Sequence, residues 1–311
     1  MLVAYVMRGH LQAMLAASGL LLLALVLMPL SWPLSFLSAA VVGLITLVKG
    51  TREGLLILLG GGLFVFLLGL LAPGNPVAVT GFAMLVWLPV WLLAMVLRQS
   101  MSLSLALLLG ALLGILAVAG FFLLTGDPAT WWHQHFTTDV LPMLEKAGMV
   151  FDDRARLEAD LEQASRLMTG SLAAILLLGA LLGLFIARRW QAGLYNPGGF
   201  QEAFHQLRFG VSAALVALAL LAASFLSSGI WSELLVNMLP PVIVVFLFQG
   251  LAIGHALVKA WSLKPVWLVA LYILLLFGLP YSPVLLALLG VADNWLDLRN
   301  KFGQKKTGGT G

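Results

Sequence analysis

Apolar residues run along this chain in long blocks separated by short polar connections. That pattern belongs to helices crossing a bilayer, since a half-buried soluble helix or strand would alternate at a period of 3.6 or 2. The blocks fall at 11–28, 34–48, 55–71, 77–97 and 103–124 and then, after a long polar stretch, at 171–187, 209–227, 234–258, 265–279 and 283–291. The last is short, and with its flanks YS and ADNWLDL it reaches a marginal spanning length. The predicted fold class is all-α: a polytopic transmembrane helical bundle of about ten spans, with nine as the alternative. Four regions follow: a first membrane bundle over 1–125, an extracytoplasmic amphipathic insertion over 126–169, a second bundle over 170–298 with a connection at 188–208, and a basic tail over 299–311.

The block at 234–258 is the least uniform. It holds adjacent prolines, Pro240 and Pro241, and three polar side chains, Asn237, Gln249 and His255. A proline removes its own N–H and pushes on the carbonyl four residues back, which frees the carbonyls of Val236 and Asn237. Lipid satisfies neither the carbonyls nor the side chains, so this segment is expected inside the bundle, with Gln249 and His255 bonding across helices.

Composition agrees: 61% of the residues are hydrophobic and 10% charged, and cysteine is absent, which excludes disulfides and thiolate chemistry. The first block ends in MPLSWP without a small-residue cleavage pattern and reads as a retained span. Basic residues then set the orientation. Lys49 and Arg52, Arg98, the group Arg188, Arg189 and Arg208, and the pair Lys259 and Lys264 fall in alternate connections. The intervening SWP, APGN and SSGIWSE connections contain no Lys or Arg. By the positive-inside rule the N-terminal Arg8 and the tail with Arg299, Lys301, Lys305 and Lys306 are both cytoplasmic, which requires an even count and favours ten. The implied location is a bacterial inner membrane.

In the insertion, Asp127 and Pro128 form an N-cap and first-turn pair. Trp132, Phe136, Val140 and Met143 then recur at helical spacing, as expected of a helix at the outer interface. Leu157, Leu161, Ala164 and Met168 mark one face of a second helix running into the sixth span. A solvated cap packed on the bundle and a partner-docking surface are both open readings.

Chemistry is sparse. The span interiors hold essentially no Asp, Glu, Lys or Arg, so the relay expected of a proton-coupled transporter is missing. No metalloprotease, serine-hydrolase or nucleotide-binding motif is present, and His133 and His135, two apart, diverge on a helix. No catalytic set, metal, cofactor or nucleic-acid partner is implied. Asp293, Asn294 and Asp297 read as an ion-pair network with Arg299 and with Lys301, four residues beyond Asp297, or else as a cation or docking site. Small residues at four-residue spacing, Gly250 with Gly254 and Ala13 with Ala17, allow close helix approach, and LLLGALLG occurs at 107–114 and again at 176–183. The flanks of the two copies diverge, so no duplication is inferred.

Two groups are candidate sites. Helix breakers and aromatics toward the outer side, Trp231, Pro240, Pro241, Trp87 and Trp91 with Asn237, are expected to border an outward-facing ligand cavity. In the inner connection, Asn196, Gly198 and Gly199 form a turn around Pro197, and Phe200, Phe204 and Leu207 share one side of a short helix. With Tyr195 and Arg208 these residues are either an anchored connector or a surface for a protein partner.

The segments WQAGLYNPGGFQEAFHQLR, LFQG and GVADNWLDLR resemble the YybS-like family of predicted membrane proteins. That family is itself distantly similar in fold to substrate-binding subunits of energy-coupling-factor vitamin transporters and to the rod-shape protein MreD. The resemblance implies a multi-pass protein surrounded by membrane lipids. Two functions are carried forward. One is a substrate-capture or transport-associated subunit energised by a partner, its ligand unnamed. The other is a non-catalytic envelope scaffold that recruits a cytoplasmic or membrane partner through LYNPGGF and the acidic outer helix.

Overall fold

The computed structural model describes residues 1–71, 75–149, 151 and 153–303. The predicted APGN connection, apart from Asn75, and Lys305 and Lys306 of the tail lie outside the described residues. Among the described residues the fold is all-helical. The first part holds α1 (Leu2–Val6), α2 (His10–Val26), α3 (Ser31–Val48), α4 (Thr51–Gly69), α5 (Pro76–Ser100) and α6 (Leu103–Thr125). Short α7 (Pro128–His135) and α8 (Leu141–Lys146) follow, joined by a π turn over Phe136–Val140. The remainder is α9 (Arg154–Tyr195), α10 (Gly199–His205), α11 (Val211–Leu226), α12 (Ile230–Ala260), α13 (Val266–Phe277), α14 (Tyr281–Leu296) and α15 (Leu298–Gly303).

Each predicted apolar block lies mainly in a helix of its own, but among the described residues only six helices, α3, α4, α5, α6, α9 and α12, are long and apolar enough to cross a membrane. The remaining apolar helices are at or below the short end of the roughly 17–25 residues a crossing takes: 17 in α2, 16 in α11, 12 in α13 and 16 in α14. The protein is therefore a multi-pass, membrane-embedded helical bundle.

Local chemistry fixes the helix starts. Asn75 caps α5 through the N–H groups of Val77 and Ala78, Ser102 caps α6 and Asp153 caps α9. Asp127 caps α7 ahead of Pro128, as predicted; its hydrogen bond from the Thr130 hydroxyl, with smaller help from backbone N–H groups, holds its carboxyl below the ordinary carboxylate range. That capping energy is present above the ordinary value near 3.8 and is lost as pH falls through the lowered one.

Two helices organise the packing. α3 is buried from Ala39 to Leu47 and packs on α2, α4, α5 and α9. α12 packs on α6, α9, α11 and α14, and α9 joins the two sets. At 42 residues α9 extends about 63 Å, about twice the hydrocarbon thickness, so its N-terminal turns project beyond the bundle. There α7 packs on it, and Trp132 Nε1 donates to Thr169 Oγ1 at 2.9 Å.

The basic connections share one end. Arg98 donates to the carbonyls of Leu47 and Val48, Gln191 Nε2 to Leu47 O, and Trp91 Nε1 to Thr51 O. Val3 lines one hollow with Arg189, Trp190 and Leu194 there, and Trp261 donates to Phe302 O, so both ends of the described chain lie at this basic end.

The small-residue prediction resolves into an α12–α14 crossing. A Cβ on Gly250 would lie 2.1 Å from Leu286 O, and one on Gly290 2.4 Å from Phe246 O. Gly254 instead faces Leu271 of α13. In the two LLLGALLG copies, Gly114 meets Pro241 whereas Gly179 meets Phe36 and Gly183 meets Ala39, so the same text serves different neighbours. Gly250→Leu is expected to cost roughly 1–3 kcal/mol, because the obstacle is backbone that cannot rotate away. Thermal unfolding in detergent would show it, and a wild-type transition would mean that the crossing is looser than described.

Candidate functional site

α9 ends in Leu194 and Tyr195, both exposed, and the chain reverses at Asn196 to Gly199. Gly198 adopts φ +89°, a left-handed conformation that a side chain would strain, and Gly199 N–H donates to Asn196 O at 3.0 Å. α10 then returns against the bundle with Phe200 and Phe204 on its inner side, as the spacing predicted, while Leu207, placed on the same face by that spacing, lies two residues past the end of α10 and is buried as well. Phe185 of α9 gathers this face: its ring centroid lies 5.7 Å from those of Phe200 and Phe204 and 4.9 Å from Phe248 of α12. Phe204 also stands edge-on to His255, whose Nε2 is 2.9 Å from the Tyr272 hydroxyl on α13.

A polar clasp holds the segment after α10. Arg208 Nη2 donates to the carbonyls of Asp293 (2.8 Å) and Asn294 (3.1 Å), and Nη1 lies 3.4 Å from Asp297 Oδ1. Arg299 donates to the carbonyls of His205 and Leu207 and lies 3.3 Å from Asp293 Oδ2. Asn294 Oδ1 accepts from Gly210 N–H at 2.9 Å, and Gln249 Oε1 accepts from Phe209 N–H at 3.3 Å. Asp293, Asn294 and Asp297 are thus bound into internal pairs. Arg208, considered for partner binding, is spent in the same network. Burial holds Arg299 below its ordinary value, with Asp293 acting in the opposite sense.

Gln249 is fully buried and its Nε2 has no partner. Gln249→Leu would free that orphan while stranding the Phe209 N–H, so the net loss is expected to be about 1 kcal/mol. Chemical denaturation would measure it; a loss of several kcal/mol would show that the amide does more than accept this one bond.

Beneath α10 lies the largest cavity described, an open crevice of about 860 Å³ between α9, α10, α12 and α13. Its polar lining, Arg189, Gln201, His205 and His255, belongs to the basic end, with Tyr272 beside His255; farther in, Leu178, Leu247, Leu279 and Pro283 make it apolar. The crevice exists because α13 stands off: no α13 residue is buried, and its packing is on α12 and α14 with little against α9. A second hollow of about 490 Å³ continues from it, sharing Pro197, Gly198, Gln201 and His205 and adding Asn196, Gly199, Glu202 and Lys259. Burial, then Lys259, His255 and Arg299, hold the His205 imidazole below its ordinary value.

The residues expected around an outward cavity are dispersed. Trp87 is fully buried among α2–α5 and donates to Ser38 Oγ at 2.8 Å, while Trp91 sits at the basic end against Thr51. Trp231 is exposed, and Pro241 packs against Gly114 of α6 next to half-buried Pro240. Asn237 is 2% exposed and fully engaged: Oδ1 accepts from Gly170 N–H at 2.7 Å, and Nδ2 donates to Arg166 O and Glu233 O.

The comparisons with protein-family models, curated proteins and solved structures returned no match. Sequence reasoning did not single out Phe185, Phe248 or Tyr272, and it used Arg189 only to set the orientation. Tyr272 carried a signal, being the one hydroxyl in an otherwise wholly apolar α13.

Proposed function

We propose that this chain is a ten-span bacterial inner-membrane subunit that captures an amphiphilic molecule in the α9–α10–α12–α13 crevice, with a partner supplying energy if that molecule is moved. The observation that carries this is the gradient along the crevice wall, polar at the basic end and apolar inward, which suits a molecule with one polar and one apolar part. The reading keeps the substrate-capture function and moves the site from the outer side to the basic end. It includes membership in the YybS-like family, on the strength of the quoted segments alone.

The test is native mass spectrometry of gently extracted protein. An amphiphile should copurify with wild type and be lost from Leu182→Trp, which fills the crevice. Retention in the filled variant would remove the crevice as the site. A stoichiometric protein complex without a small molecule would favour the scaffold reading, for which exposed Tyr195 is the best-placed residue.

Ten spans with both termini inside is supported by the basic end and by the two chain ends meeting there. Because cysteine is absent, Glu158→Cys is expected to react with a membrane-impermeant maleimide in intact cells and Gln201→Cys only after lysis. Labelling of Gln201→Cys in intact cells would invert the topology.

A further inference from the structure

The mouth of the crevice says which amphiphile. Arg189 of α9 and Lys259 of α12 border the two connected hollows, and neither makes an ion pair among the described residues, unlike Arg208 and Arg299 nearby. His205 lines both hollows. Glu202 is the one acid lining either hollow. An unpaired cation next to an apolar cavity leaves a positive potential at its rim, where low-dielectric walls strengthen attraction for an anion. From Arg189 to Leu178 along α9 is eleven residues, about 16 Å, and this whole length faces the crevice with only apolar side chains beyond the first turn. α13 packs on α12 and α14 with little against α9, so the α9–α13 side of the crevice is the least closed.

We infer that the crevice binds an anionic phospholipid of the surrounding bilayer, with its phosphate at Arg189 and Lys259 and its hydrocarbon along Phe185, Leu182 and Leu178. This rests on the amphiphile-capture reading above. Arg189 would take the phosphate through its planar fork and Lys259 as a point charge. Gln201 is placed to donate to a headgroup oxygen at the same level. The chain-bearing part would replace the contacts that α13 does not make with α9.

The experiment uses delipidated full-length protein with defined lipids, dipalmitoyl phosphatidylglycerol as the anionic probe and dipalmitoyl phosphatidylcholine as the zwitterionic one. Lipid retention is read by native mass spectrometry and folding by thermal unfolding. Phosphatidylglycerol is expected to bind more tightly than phosphatidylcholine. The Arg189→Gln/Lys259→Gln variant should lose roughly ten- to thirtyfold in phosphatidylglycerol affinity, while Arg52→Gln, a basic residue away from the crevice, leaves it unchanged. Leu279→Trp, on a lining position that is exposed and so tolerates size, should displace both lipids.

Equal binding of the two lipids with no effect of the charge variant would overturn the phosphate assignment, and capture would survive only if Leu279→Trp and Leu182→Trp still displaced lipid. If neither filled variant displaced lipid, both conclusions would fall. Displacement of phosphatidylglycerol by millimolar inorganic phosphate would identify a soluble anion as the occupant and overturn the lipid.

Discussion

Arg299→Leu is expected to destabilise the protein by roughly 3–5 kcal/mol, the usual cost of leaving a buried charge without its partner. Asp293 is fully buried, and its Oδ2 has no hydrogen bond; what faces it is the Arg299 guanidinium at 3.3 Å, close enough to pair but not aligned to donate. The same guanidinium holds the His205 and Leu207 carbonyls, so its loss also loosens the end of α10. A second substitution separates the two effects. Asp293→Asn in the Arg299→Leu background removes the stranded charge while an amide oxygen still accepts the Leu298 N–H that Asp293 Oδ1 now takes at 2.9 Å. Most of the stability should return if charge burial dominates, and little of it if the carbonyl contacts do. Unfolding of the single variant at the wild-type temperature would refute the pair's importance.

This clasp also shows where sequence pattern stops being informative. The (i, i+4) spacing of Asp297 and Lys301 predicts a pair on one continuous helix. The chain instead breaks at Asp297, in the left-handed region at φ +47°, between α14 and α15. The break turns Arg299 back onto Asp293 and leaves Asp297 to Arg208 and Asn300. A rule for neighbours on one helix fails wherever the helix does, and the sequence carries no proline or glycine there to announce it.

The apolar blocks were legible because every one must hide its backbone from lipid, and each lies mainly in a helix. Their span count was less so, because α2, α11, α13 and α14 end short of a full crossing and block length records helix ends only loosely. Phe200, Phe204 and Leu207 were readable as one face, since periodicity alone fixes which side chains share a side. What they face, Phe185 and Phe248, required knowing that α9 and α12 run parallel and adjacent. The crevice was hidden for a different reason: α13 is apolar all round, so nothing in its text distinguishes a helix packed into the bundle from one standing off it.

Asn237→Leu carries the second large effect and bears on the same gap between pattern and partner. The sequence marks Asn237 as a polar group in an apolar span with an open carbonyl, which a ligand or another helix would satisfy equally well. The other helix is α9. Pro241 denies the Asn237 carbonyl its helical donor, Gly170 lets α9 come so close that a Cβ there would lie 2.4 Å from that oxygen, and the side-chain amide joins Gly170 N–H to Arg166 O across one turn of α9. Three hydrogen bonds are lost with the amide. At the average measured between membrane helices, near 0.6 kcal/mol each, the cost is about 2 kcal/mol, because Gly170 N–H and Arg166 O are four residues apart in α9 and keep each other as helical partners. To this is added the Asn237 carbonyl's own surroundings, since Asn237 is almost wholly buried and leucine has no polar atom to offer. Gly170→Ala should destabilise by a similar route, and the double variant should cost less than the two single losses added together, since both break one contact. Additive losses would separate the sites. A fully stable Asn237→Leu protein with lost cellular function would restore the outward ligand cavity in place of this α9–α12 contact.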